Sequence, residues 1–262
     1  MTVRRLLLPL ALLALASSTL AAEPTRLRIM SYNIRHGEGM DHKLDLARIA
    51  KVIKSVDPDV VGLNEVDKGC QRTEGHDEPA ELGKLTGMTP IFERNIPYQG
   101  GEYGNAVLTK LPITATKNVH LPSHYVGEQR GCLVIDLTAP NAARTPFRFL
   151  ATHIDYRGDD AERMDSAKTI AGIVAERPDS PAILVGDLNS TPDSRVIAEF
   201  MKTWTRTDET PTLTFPADKP DRQIDYVLVR PAQRWKVVEL RVLDEPMASD
   251  HRPLFAVLEL VD

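Results

Sequence analysis

The chain has 262 residues, of which 42% are hydrophobic and 26% charged, and it carries a formal net charge of −5. This is the composition of an ordinary soluble globular protein. The acidic balance and the lack of any dense basic run exclude a chain built around a basic field for a long polyanion.

At the N-terminus Arg4 and Arg5 precede an apolar run, Leu6 to Ala16, and then small residues ending in Thr19-Leu20-Ala21. That layout predicts a secretory signal peptide over residues 1–21, since the apolar run is too short to span a bilayer and small side chains stand where a signal peptidase reads. The expected mature protein, 22–262, is exported, periplasmic or extracellular. Single Gly and Pro turn signals are spread through it without a linker, repeat or low-complexity tract, which predicts one domain.

In chain order, runs of aliphatic and β-branched residues predict strands over Leu27–Ile34, Asp59–Val66, Tyr103–Thr109, Ile113–Leu121, Gly131–Leu137, Phe147–Ile154, Ala182–Val185, Ile224–Val229, Trp235–Val242 and Leu254–Leu260. Leu46, Ile49, Ala50, Ile53 and Val56 form one helical stripe, ended by Asp57-Pro58. Met164, Ala167, Ile170, Ala171 and Val174 form a second, ended before Pro178. After Asn189, Ser190 or Thr191 could cap a further helix beginning at Pro192. Many strands with few helices predict a four-layer α/β sandwich, two packed, mainly antiparallel sheets flanked by helices. The stretch from Tyr103 to Ile154 has no room for crossover helices and favours antiparallel pairing.

Cys70 and Cys132 are the two cysteines. An oxidising compartment permits a disulfide between them, whereas the apolar run around Cys132 suits a buried free thiol, so both readings stay open.

Polar residues repeatedly stand at the ends of the apolar strands, where the chain leaves the core. Asn33, Glu65, His153 with Asp155, and Asp187 with Asn189 close four of them, Asp225 opens another, and Asp250-His251 precedes the last. Strand alternation places i and i+2 on one side, so Asp187 and Asn189 can enter one cavity together. Singly, each has an ordinary reading as a turn former, a cap or a structural histidine.

Jointly they carry a resemblance. Ser31-Tyr32-Asn33-Ile34, Asn64-Glu65-Val66, Gly104-Asn105-Ala106, Thr152-His153, Gly186-Asp187-Leu188-Asn189, Ile224-Asp225-Tyr226-Val227 and Ser249-Asp250-His251-Arg252-Pro253 are similar to the ordered motifs of the endonuclease/exonuclease/phosphatase superfamily. The resemblance spans nearly all of the mature chain, with Asn64 where many relatives have Gln. It implies the four-layer sandwich and a hydrolase of phosphodiesters or phosphomonoesters.

It also implies roles. Glu65 is expected to be the main ligand of Mg²⁺ or Mn²⁺, a hard cation that prefers carboxylate oxygen, with Asn33 and Asp250 completing or orienting that site. His251, its other ring nitrogen held by Asp225, is expected to act as general base. Asp187 and Asn189 are expected to orient water and phosphate, and His153 to stabilise the phosphate or protonate the leaving oxygen. Arg35, His36, Asn105 and Arg130 are candidates for substrate contact, the arginines because a guanidinium suits phosphate.

A small or membrane-presented phosphoester is the favoured partner, and no stable protein partner is implied. Nucleic acid stays possible, with an exported nuclease as the alternative, although sparse aromatics, 5% of the chain, offer few platforms for stacking bases. A non-catalytic binding module on the same scaffold has no use for an acid/base pair beside a metal carboxylate. Carboxylic-ester or peptide hydrolysis fits poorly, because no His-Glu-x-x-His or Gly-x-Ser-x-Gly segment is present.

Overall fold

A computed structural model describes residues 24–140 and 143–261. The expected signal peptide lies outside the described residues.

Twelve strands form two six-stranded sheets. The first has the order β11-β12-β1-β2-β4-β3, from β1 (Thr25–Asn33), β2 (Val60–Lys68), β3 (Thr89–Tyr98), β4 (Gly101–Thr109), β11 (Trp235–Val242) and β12 (Leu254–Leu260). The second has the order β5-β6-β7-β8-β10-β9, from β5 (Ile113–His120), β6 (Gly131–Thr138), β7 (Pro146–His153), β8 (Ala182–Asp187), β9 (Thr205–Arg206) and β10 (Asp225–Arg230). Pairing is antiparallel except once in each sheet, β1 with β2 and β7 with β8. A helix makes each of those crossovers, α1 (Leu46–Ser55) and α3 (Ala161–Ala175), as a parallel connection requires.

The layers follow from residue alternation. Leu27 and Ile29 of β1, Phe147, Phe149 and Ala151 of β7, and Ile183 and Val185 of β8 point between the sheets. Their neighbours Met30 and Tyr32 meet Ile49 and Ile53 of α1 on one outer face, while Leu150 and Leu184 meet Ile170 and Val174 of α3 on the other. At Gly62 the sheets come so close that a Cβ would stand 2.3 Å from a methyl carbon of Val185.

All ten expected strands and both expected helices are present, so the four-layer sandwich is the fold. Two further helices and two strands complete it. α2 (Glu78–Thr86) is short, capped by Asp77 and closed by Gly87 in the left-handed region, a start-and-stop signal visible in Asp77, Pro79 and Gly87. β3 carries Pro90 and Pro97, which break a strand pattern but are tolerated at the sheet edge it occupies. α4 (Arg195–Phe200) begins three residues later than expected at Pro192, because the Ser194 side chain accepts the Ile197 N–H and supplies the cap. β9 is two residues long and pairs with β10. Cys70 and Cys132 are buried as free thiols, so the disulfide is not formed.

Candidate active site

The alternation that fills the inter-sheet core also delivers the site. Asn33 continues the inward face of Leu27 and Ile29, His153 that of Phe149 and Ala151, Asp187 that of Ile183 and Val185, and Asp225 that of Val227 and Val229. These positions lie at one edge of both sheets, with Asn33 paired to Asn64 and His153 and Asp225 both paired to Asp187. The site is the polar rim of the core.

Glu65 reaches it through a bulge. Leu63 pairs with Ala106 and Val66 with Gly104, so Asn64 and Glu65 stand opposite Asn105 alone. Glu65 takes the left-handed region with φ of 56°, uncommon for a residue with a side chain. Asn64 fills the space behind it. Its amide donates to Asn105 Oδ1 and to Thr152 O, both at 3.0 Å, and its oxygen accepts the Asp187 N–H at 3.1 Å. Gly186 permits the close approach on the other side, since a Cβ there would lie 1.8 Å from Thr152 O.

Around this frame the charged groups form one network. Asn33 Nδ2 donates to Glu65 Oε1 at 3.0 Å and to Asp187 Oδ2 at 3.3 Å. His251 Nδ1 pairs with Asp225 Oδ2 at 2.8 Å, and its Nε2 lies 3.6 Å from Asp187 Oδ2. His153 Nε2 lies 3.5 Å from the same oxygen. Asn189 donates its backbone N–H to Asp187 Oδ1 at 2.8 Å, and its amide to Ile154 O and His153 Nε2. The Phe215 ring packs against His251 at a centroid distance of 4.8 Å.

Burial and charge set the protonation states. Burial pulls His251 down, but Asp225, Asp187 and Asp250 outweigh it and push its pKa up to about 10. Burial and the Asp225 carboxylate raise Asp187. The Asp187–His251 pair therefore holds a proton readily, and Asp225 keeps it on the imidazole side. His153 is held well below the usual histidine range by burial and by the charges of Arg130 and His251. It is neutral, with Nε2 accepting from Asn189, so in this arrangement that nitrogen has no proton to give a leaving group.

Glu65 suits a hard divalent cation. Burial raises its pKa and the nearby Asp250 carboxylate raises it further, and two carboxylates facing one space are the donor type such an ion takes. Asp187, Asp225 and His251 also present ligand atoms within 4.8 Å of one another. Their shared hydrogen bond uses Asp225 Oδ2 and His251 Nδ1 on each other, which suits proton handling better than chelation. Asn33, expected among the metal residues, turns its amide nitrogen toward the carboxylates, while its oxygen accepts the Arg35 N–H at 3.1 Å. In this orientation it braces Glu65 and Asp187.

The network floors a cavity of about 850 Å³, lined by Glu65, Arg130, His153, Asp187, Asn189, Asp250 and His251. Three substrate-contact candidates are placed elsewhere. Asn105 is buried and divides its amide between Asn64 and Gly131 O, so it braces the frame. Arg35 is drawn to Glu38 at 3.4 Å and lies 3.9 Å from Asp250, and His36 faces Glu38. Neither lines the cavity, because a left-handed turn at both residues directs them aside.

Tyr98, Tyr103, Tyr156 and Phe215, brought from separate loops and strand ends, complete the walls. Nothing in their local sequence marked them. Sparse as aromatics are in the chain, the cavity concentrates them.

A two-sheet sandwich with a carboxylate and a hydrogen-bonded Asp–His pair at one edge is the arrangement of a phosphoester hydrolase. The chain belongs to the endonuclease/exonuclease/phosphatase family, whose model matches residues 30–251. Members of this family hydrolyse phosphoester bonds and are in general divalent-metal dependent. The chain is 26% identical to the uncharacterised protein YbhP of Escherichia coli (strain K12), over 89% of this chain and 96% of that protein. It is also similar to the solved structure of an endonuclease/exonuclease/phosphatase from Beutenbergia cavernae DSM 12333, with a TM-score of 0.74 and 26% identity, covering 90% of this chain and 72% of that one. The mannosyl-6-phosphatase Bt3783 of Bacteroides thetaiotaomicron VPI-5482 shares the fold, with a TM-score of 0.73 and 20% identity over 88% of this chain and 99% of that one.

Proposed function

We propose that the mature protein, 22–262, is an exported Mg²⁺- or Mn²⁺-dependent phosphohydrolase that acts on a small or membrane-presented phosphoester. The observation that carries this reading is the Asp225–His251–Asp187 relay beside Glu65 and Asp250, with Glu65, Asp250, Asp187 and His251 lining one cavity. Glu65 would hold the cation with Asp250, and Asn33 would fix the Glu65 carboxylate. The bound cation would neutralise charge on the phosphoryl oxygens.

The chain's own residues do the rest. Of the Asp187–His251 pair, the Asp187 carboxylate takes the proton of the attacking water, while Asp225 fixes the imidazole and its charge. Asn189, anchored to Ile154 O, holds Asp187 and His153 in place. A cavity of about 850 Å³ is of the size that encloses a small molecule. The acidic chain offers no broad field for a duplex.

One observation favours a second reading, a nuclease for single strands, because Tyr98, Tyr103, Tyr156 and Phe215 are rings on which bases could stack.

The deciding experiment is a metal-supplemented screen against p-nitrophenyl phosphate, bis-p-nitrophenyl phosphate, phospholipids, phosphorylated polyols and single-stranded DNA and RNA. Turnover that needs Mg²⁺ or Mn²⁺ and falls by orders of magnitude in Glu65→Gln is expected. Full turnover in excess chelator would overturn the reading.

A further inference from the structure

Among the described residues two arginines are buried, Arg130 and Arg163, and Nε has no partner in either. Arg163 gives its Nη1 to the backbone oxygens of Asp155 and Arg157 and does not border the cavity. Arg130 is only 4% exposed and lines the cavity, yet its Nε has no partner. Its Nη1 lies 2.7 Å from Glu128 Oε1, but that oxygen makes no aligned hydrogen bond. The contact is one of charge without good geometry. A buried guanidinium that borders a cavity with spare donors has room to satisfy them on a ligand.

The surroundings give those donors a use. The charge of Arg130 is felt by both Glu65 and His153, which border the space where the reacting phosphate would sit. Tyr156 covers the guanidinium at 5.8 Å. The backbone of the segment is held without Glu128, because Leu121 N–H donates to Arg130 O at 2.9 Å and Gln129 Nε2 donates to Leu121 O at 2.6 Å.

We propose that Arg130 receives a non-bridging oxygen of the scissile phosphate, and that Glu128 is a resident anion which this phosphate displaces. The inference rests on the phosphohydrolase reading and deepens it. With no substrate present, Glu128 offsets the buried charge of Arg130. A tetrahedral oxyanion that meets both Nε and an Nη satisfies donors that the misaligned carboxylate leaves open. Glu128 thereby weakens the hold on phosphate, substrate and product alike.

The test is calorimetric titration of the full mature chain with inorganic phosphate, with and without Mg²⁺, alongside steady-state kinetics. Glu128→Gln should tighten phosphate binding and lower KM by about tenfold, the effect of removing one charged competitor from a charge-assisted contact. Arg130→Lys should weaken phosphate binding by about tenfold or more, because an ammonium cannot supply two donors in one plane. Unchanged or weaker phosphate binding in Glu128→Gln, in a protein that keeps its thermal midpoint, would overturn the proposal even while metal-dependent turnover upheld the enzyme reading. Tighter phosphate binding without turnover of any phosphoester would uphold Arg130 as an oxyanion receptor and remove the hydrolase reading instead.

Discussion

The side-chain oxygen of Asn64 accepts the backbone N–H of Asp187 at 3.1 Å, so the residue beside Glu65 on one sheet holds the strand end that carries Asp187 on the other. Its amide nitrogen is spent on Asn105 and Thr152. Replacing Asn64 with Leu strands the Asp187 N–H, Thr152 O and Asn105 Oδ1 in a buried place, at about 1–3 kcal/mol for each unsatisfied group. We expect urea unfolding to show a loss of several kcal/mol, and kcat to fall more than KM rises. A variant with full kcat would show that the clasp does not position Asp187.

Asp225 is the partner that holds His251 in orientation and in charge. Asp225→Asn removes the carboxylate that does most to raise the imidazole against burial, so the His251 pKa should fall from about 10. NMR titration of the ring in metal-free protein reads this directly. Turnover should fall by about 10²–10⁴, the range that acid–base groups contribute. An unmoved His251 titration would remove Asp225 from the relay.

Glu78 gives the fold a pH dependence away from the reaction. It is fully buried, with one oxygen accepting the Asp67 N–H at 2.7 Å and the other unpartnered. Burial, with a further push from Asp67, raises its pKa from 4.5 to about 8. The native state therefore holds a proton between those values that the unfolded chain releases. The Glu78 contribution to stability should be fullest below pH 4.5 and should decline as pH rises toward 8, by a few kcal/mol in order of magnitude at about 1.4 kcal/mol per unit. Urea unfolding of Glu78→Gln across this range should lack the decline, so the variant should gain relative to the parent above pH 8. Parallel pH profiles would rule this out.

Gly186 sits where the second sheet's parallel strands meet the site, at φ of 138° and against Thr152 O. Gly186→Ala should cost about 1–3 kcal/mol through overpacking and lower kcat by displacing Asp187. Thermal unfolding and turnover measured together check this, and an undisturbed variant would mean that the strands can separate locally.

Much of this was legible in the sequence, for a physical reason. Core strands such as Leu27–Ile34 and Phe147–Ile154 are apolar enough to declare themselves, and the polar residue closing each one declares the site. Residues whose role depends on contacts remote in the chain stayed hidden. Asn105 looked like a substrate contact, although its amide is consumed by Asn64 and Gly131. Arg35 and His36 follow Asn33 directly, but the turn there carries them off the inward face. Pro90 and Pro97 masked an edge strand that only its pairing with β4 reveals. The rings of Tyr156 and Phe215 reach the cavity from loops with no periodicity to read.

Neither sheet owns the whole candidate site. Glu65 and Asn33 ride on one, and His153, Asp187 and Asp225 on the other, so the join between the layers is itself a working part. A slide of about 1 Å between them would leave every strand pair intact, yet a misplacement of that size is enough to cost on the order of a hundredfold in rate. Pressure or mild heating should therefore silence the protein while its circular dichroism still looks native. At Gly62, packed close against Val185, a single added methyl would wedge the halves apart.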